Sequence, residues 1–158
     1  MRKIGIIAVM ALLVSALAAV PALAANPHFI GSPTFTDNGT TLTATGSIAG
    51  LGNQNIDVVL TATGSATVTC TNPAGNVAPG QTFTTTVSGS DTDIQVKNGR
   101  ATFSATTNEP VAPAGSCPNP RWSASVGDVT FTSATITVFQ PSGSQTIVLQ
   151  QTFSPVPL

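Results

Sequence analysis

The chain has 158 residues, of which 41% are hydrophobic and only 7% charged, with a formal net charge of −1. Its five Lys and Arg residues are too few and too scattered to displace counterions from phosphates. That excludes nucleic-acid binding and argues against docking on an anionic membrane surface.

Arg2 and Lys3 precede an apolar run from Ile4 to Val14, and the stretch closes on Pro21-Ala22-Leu23-Ala24. A basic start, a short apolar centre and a small-x-small ending describe a secretory signal peptide over residues 1–24, cut after Ala24. The run is too short and wrongly flanked for a membrane span. Residues 25–158 are then the working protein, secreted or, behind an outer membrane, periplasmic. About 134 of the 158 residues remain, enough for one domain with a real core but not two. They carry Lys97, Arg100 and Arg121 against six carboxylates. With so little charge, Thr, Ser, Asn and Gln must supply most of the wetted surface. Such a surface suits an extracellular protein that adheres to something or sits in a matrix. Neither a lipobox cysteine, a wall-sorting signal nor an apolar anchor is read, so release is expected.

Strands are expected at 34–36 and 40–48, joined by the hairpin turn Asp37-Asn38-Gly39. From Ile56 to Thr71 apolar and polar residues alternate almost without a break, the period of a strand with one buried and one wet face. Such a strand reaches roughly 50 Å at about 3.3 Å per residue, so Gly64 is the expected bend or bulge. A three-residue loop at 63–65 is the other way to keep the faces consistent. Either way Cys70 points inward.

Residues 81–88 make a Thr-rich strand with Phe83 and Val87 inward, followed by a turn-like stretch over 88–93. Asn98-Gly99 is a second turn, leading into 100–106 with Ala101, Phe103 and Ala105 on the core side. The strand at 129–139 shifts its apolar parity between Phe131 and Ile136, which predicts a bulge near Ser133. Pro141-Ser142-Gly143 turns the chain into a last strand at 146–153 carrying Ile147 and Leu149. Seven to nine short strands without a helix make an all-β chain: a single β-sandwich, Ig-like or a related Greek key.

Cys70 and Cys117 are the only cysteines, and in an oxidising compartment a disulfide is the natural reading. Free or metal-binding thiols are the competing reading, without CxxC spacing or a nearby histidine to support it. A bond would tie the loops at 72–80 and 108–120 towards one end of the domain.

Sites are harder to find. His28 is the only histidine and lies near the mature N-terminus, badly placed for a catalytic base. Asp91 and Asp93 are weak candidates for a Ca²⁺ site, set against two solvated turn acids. Asn119, Arg121 and Trp122 form the best binding candidate, because an aromatic beside an Arg can stack on a sugar or anchor a protein. The bland alternative is a core Trp. Rows of Thr at 41/43/45, 67/69/71 and 82/84/86 would present hydroxyls to an ordered lattice, or serve only as polar strand formers.

Asn26-Pro27-His28-Phe29, the Ile48-Ala49-Gly50-Leu51-Gly52 segment, Val129-Thr130-Phe131-Thr132 and the two cysteines resemble a family of small secreted microbial β-rich proteins. The resemblance implies secretion and a β fold and transfers no catalytic or binding residue. The expectation is a non-enzymatic extracellular binding or adhesion module without cofactor, partnered by glycan, envelope material or protein. The alternatives are a matrix protein self-associating through Thr-rich faces, and a hydrolase using distant carboxylates.

Overall fold

A computed structural model describes residues 26–158; the signal-peptide reading over 1–24 lies outside them. The strands are β1 (His28–Phe29), β2 (Thr34–Asp37), β3 (Leu42–Ala49), β4 (Ile56–Thr71), β5 (Val77–Pro79), β6 (Phe83–Ile94), β7 (Arg100–Thr106), β8 (Ser123–Phe139) and β9 (Ile147–Phe153). Among the described residues no helix is long and apolar enough to cross a membrane. The strands form two antiparallel sheets packed face to face, a β-sandwich.

In the smaller sheet β3 is central. β7 runs along one edge of it, while β1 and β2 share the other edge end to end. In the larger sheet β4 is central, with β8 and then β9 on one side and β5 and β6 in tandem on the other. β4 is one continuous strand, so the loop at 63–65 does not form. Its inward residues Ile56, Val58, Leu60, Ala62, Ala66, Val68 and Cys70 are all buried, as the alternation predicts. Facing them are Leu42, Ala44 and Ile48 of β3, Ala101, Phe103 and Ala105 of β7, and Phe35, whose ring meets Phe153 edge-on at 5.0 Å.

Two irregularities expected from the sequence meet at one place. β8 carries an extra residue, Thr132, between Phe131, opposite Gly64, and Ser133, opposite Thr63. This bulge moves Ala134, Ile136 and Val138 onto the inward face already held by Val129 and Phe131. Gly64 is the partner because the bulged backbone crowds it: a Cβ there would stand 2.5 Å from the Thr130 carbonyl oxygen. A second register shift, between Ala66 and Val68, sets Gly127 and Asp128 against Thr67. Nothing in the alternation announced it.

Residues 88–93 are strand, not turn, and belong to β6. The stretch reads as a turn because Ser88-Gly89-Ser90-Asp91-Thr92-Asp93 has no large apolar residue. Pairing with β4 nevertheless continues through Asp91, opposite Val58. β8 also starts earlier than the apolar pattern indicated, at Ser123, because the small residues 123–125 pair with Thr69–Thr71 of β4. Ile147 of β9 is 52% exposed, so this edge strand contributes Val148, Leu149 and Phe153 to the core margin instead.

The two ends of the sandwich are closed differently. At the Ile56 end, side chains lock the connections together. Gln140, buried, donates from Nε2 to the Gln54 carbonyl at 2.7 Å and accepts from the Gly52 amide at 3.4 Å. Asp57 accepts from the Gly143 amide and the Asp93 amide, and Ser142 donates its hydroxyl to the same carboxylate. At the Thr71 end, a disulfide joins Cys70 of β4 to Cys117, with 5.7 Å between the Cα atoms.

Candidate functional site

The segment between β7 and β8 contains Pro110, Pro113, Pro118 and Pro120, four positions without a backbone donor and with φ fixed near −65°. It therefore cannot pair as a strand and crosses the end of the sandwich as a loop. Its folds are set by short-range hydrogen bonds. Ser116 donates both its amide and its hydroxyl to the Pro113 carbonyl, at 3.2 and 2.8 Å. The Asn119 carboxamide oxygen accepts from the Arg121 amide at 2.9 Å, and its carbonyl from the Trp122 amide at 3.0 Å. Long-range ties then fix the loop on the sheet. Besides the disulfide, the Gln81 amide donates to the Ser116 carbonyl at 3.0 Å.

Under this loop lies a cavity of about 410 Å³. Trp122, Asn119, Cys117, Pro113 and Ala124 line it, so Trp122 is neither core nor free surface: half-buried, it forms one wall. Arg121 is exposed and does not line the cavity. The structure thus brings Asn119 and Trp122 together on the hollow and leaves Arg121 beside it. A second hollow of about 310 Å³ adjoins the first at Ala112 and Ala124 and runs towards Thr40 and Glu109. Apart from Glu109, at its far end, the lining is uncharged: the Trp122 indole, prolines and small apolar residues, with the Asn119 amide and the hydroxyls of Thr40, Ser116 and Ser125. A neutral ligand with one flat apolar face fits that chemistry.

The other candidates separate. His28 sits exposed on β1, its Nδ1 2.9 Å from the Asn26 carbonyl oxygen. Asp91 and Asp93 turn to different tasks. Asp91 Oδ2 accepts from the Ser104 amide of β7 at 2.8 Å, and Asp93 Oδ1 accepts from the Asn55 side chain at 2.7 Å. Among the described residues no group of three or more His, Cys, Asp or Glu is placed to hold a metal. Hydrogen bonds from the Gly143 amide first, then the Ser142 hydroxyl, hold the Asp57 carboxyl below its ordinary range, against a smaller opposing effect of burial.

The Thr rows align across strands. Ser88, Thr61, Thr135 and Thr152 stand in one register row across β6, β4, β8 and β9, and Thr86, Thr63 and Ser133 in the next. Several of these hydroxyls bond one another, Thr63 to Thr86 at 3.1 Å and Thr135 to Thr152 at 2.9 Å. On the smaller sheet Thr43 and Thr106 do the same at 2.8 Å.

Two of the three cations of residues 26–158 are paired, not scattered as the sequence suggests. Lys97 and Arg100 face each other across the Asn98-Gly99 turn and line one cavity together. The signal was available, because a two-residue hairpin turn sets its flanking residues opposite one another. The chain matches no known family model, no curated protein and no solved structure.

Proposed function

We propose that this chain is a secreted, non-enzymatic binding module of the adhesion type, taking glycan, envelope material or a protein partner at its disulfide-tied end. The observation that carries this reading is the half-buried Trp122 forming, with Asn119, a wall of the 410 Å³ cavity beside Cys117. An indole held at the mouth of a hollow offers a large rigid face at small entropic cost. The signal-peptide pattern, the disulfide and the resemblance to small secreted microbial proteins support an extracellular or periplasmic place of action. Ig-like kinship belongs to the same proposal.

The test is retention of the oxidised protein on insoluble cellulose, chitin, peptidoglycan and whole cells, with a Trp122→Ala variant alongside. Trp122 is the only tryptophan, so its fluorescence reports the cavity without a label. Retention on one matrix, a shift in Trp122 emission with a soluble fragment of that matrix, and loss of retention in a folded variant are expected. Retention that the variant keeps would overturn the assignment of the site.

A second reading, a matrix protein acting through its Thr-rich faces and sheet edges, is favoured by the hydroxyl row from Ser88 to Thr152. Concentration-dependent sedimentation that Thr61→Lys abolishes would support it; a monomer at all concentrations would remove it.

A further inference from the structure

Two of the three Lys and Arg residues of the described chain stand directly opposite one another. Asn98 and Gly99 have φ of 52° and 72°, the positive values of a tight hairpin turn. Lys97 and Arg100 close that turn, the Lys97 amide donating to the Arg100 carbonyl at 2.8 Å and the Arg100 amide to the Lys97 carbonyl at 3.0 Å. Residues paired in this way send their side chains to one face, with Cβ atoms about 5 Å apart. The turn is also anchored from behind, because the Leu51 amide donates to the Gly99 carbonyl at 3.1 Å. Like charges facing each other across an antiparallel pair repel and cost stability. A chain this poor in cations has therefore placed two where they disfavour the free state. An anion between them removes that cost.

The groove in front of the pair has the chemistry to hold more than a simple anion. Its volume is about 530 Å³. Ser47 and Thr102, opposite each other on β3 and β7, contribute hydroxyls, and Gln95 contributes an amide. Ile30, 45% exposed, and Ile94 add an aliphatic surface. No carboxylate is among the residues that line it. Inorganic phosphate would use the two cations and leave the rest idle, and a neutral glycan would leave the cations idle. A saccharide with a carboxylate uses all of it. The Arg fork accepts the carboxylate through paired N–H donors and the Lys adds a point charge. The hydroxyls and the amide match ring hydroxyls, and the isoleucines take the apolar ring face.

We infer that the groove between β7 and residues 94–97 is a binding site for an acidic saccharide, its carboxylate seated between Lys97 and Arg100. The site lies at the Ile56 end of the sandwich, since Ile94 pairs with Ile56, whereas Trp122 lies at the Thr71 end. The inference is therefore independent of the Trp122 site, and either can fail alone.

The experiment is titration of the oxidised, ¹⁵N-labelled secreted protein with trigalacturonate and with a glucuronate–N-acetylglucosamine tetrasaccharide. Cellotriose and sodium acetate are the comparators. Lys97 and Arg100 are exposed, so the Lys97→Gln/Arg100→Gln double variant keeps the Asn-Gly turn and the fold, which its amide spectrum checks. One of the acidic saccharides is expected to shift the amides of Ser47 and of residues 99–102 while leaving the Trp122 indole signal in place. Its affinity should fall at least tenfold in the double variant, and again between 50 mM and 500 mM NaCl. The inference is overturned if neither acidic saccharide binds, if cellotriose or acetate binds as tightly, or if the double variant binds like the parent.

Discussion

Asp57 Oδ2 accepts a hydrogen bond from the Gly143 amide at 2.7 Å, joining the start of β4 to a turn 86 residues further along the chain. The same carboxylate accepts from the Ser142 hydroxyl and the Asp93 amide, so one side chain ties three segments at the end of the sandwich. Because these donors favour the charged form, the folded state holds the Asp57 pKa below the ordinary value of 3.8. The unfolded chain binds this proton more readily, so the contribution is fully present above about pH 5. It declines as pH falls through 3.8 towards the lower folded value. Asp57→Asn should cost about 1–2 kcal/mol at neutral pH, the scale of hydrogen bonds to a charged group that is partly solvated. Urea melts of parent and variant between pH 7 and pH 2.5 should converge as the acid limit is approached. A gap that stays constant over that range would show that the charge of Asp57 is not what holds these turns.

At Gly89 the backbone of β6 passes close against that of β7 in the other sheet. A Cβ built on it would run into the Thr106 carbonyl oxygen of β7, backbone that cannot turn aside as a side chain would. The Asn108 amide donates to the neighbouring Ser88 carbonyl at 2.9 Å, so the end of β7 is fixed against β6 there. Gly89→Ala should therefore force the strands apart and cost about 2 kcal/mol, the range seen when an extra carbon is pushed into a packed site. In thermal unfolding that is a fall of roughly 6 °C. A variant that melts with the parent would mean that β7 is free to shift away from β6.

Much of the sandwich was legible in the chain because apolar residues and Thr alternate so regularly along β4 that one assignment of its inward and outward faces fits. Gly64 and the parity change after Phe131 were each readable as irregularities, yet that they oppose each other is a property of pairing between distant strands. The strand at Asp91 and Asp93 was not readable, since Gly89 and Asp91 hold the inward positions where an alternating strand would show apolar residues, with Ser88, Ser90 and Thr92 outward. What holds it is pairing to β4 and the Ser104 amide on Asp91. For Trp122 no local pattern separates a core indole from one lining a hollow. That depends on how the four prolines carry the loop over the disulfide.

The Cys70–Cys117 bond closes a loop 47 residues long in sequence. Chain entropy assigns such a crosslink about 4 kcal/mol, chiefly by restricting the unfolded chain. Cys70→Ala/Cys117→Ala should lower the urea midpoint and raise the slope m, since the unfolded chain becomes more expanded. The local effect should be larger than the global one at the loop cavity, because Cys117 is part of its lining. Trp122 emission should therefore change at urea concentrations below the main transition. Coincident transitions by Trp122 fluorescence and circular dichroism would show that proline rigidity and the Gln81–Ser116 hydrogen bond suffice to hold the loop.

Gln140 is the counterpart at the opposite end, a buried amide whose donor and acceptor are both used across the gap between strands. It grips the connection at 52–54, and that connection in turn holds the Asn98-Gly99 turn through the Leu51 amide. Gln140→Leu keeps the volume and strands the Gln54 carbonyl without its donor, at a cost of about 1–2 kcal/mol. The more telling consequence is local. With the connection released, the Leu51 amide should exchange its hydrogen at least tenfold faster relative to amides in the centre of β4. The turn carrying Lys97 and Arg100 would then lose its rear support while both charges remain. Acidic saccharide should bind that variant more weakly than the parent, by a factor smaller than removing the two cations. If Leu51 exchange accelerates no more than the β4 core, Gln140 contributes to global stability alone and the turn is rigid without it.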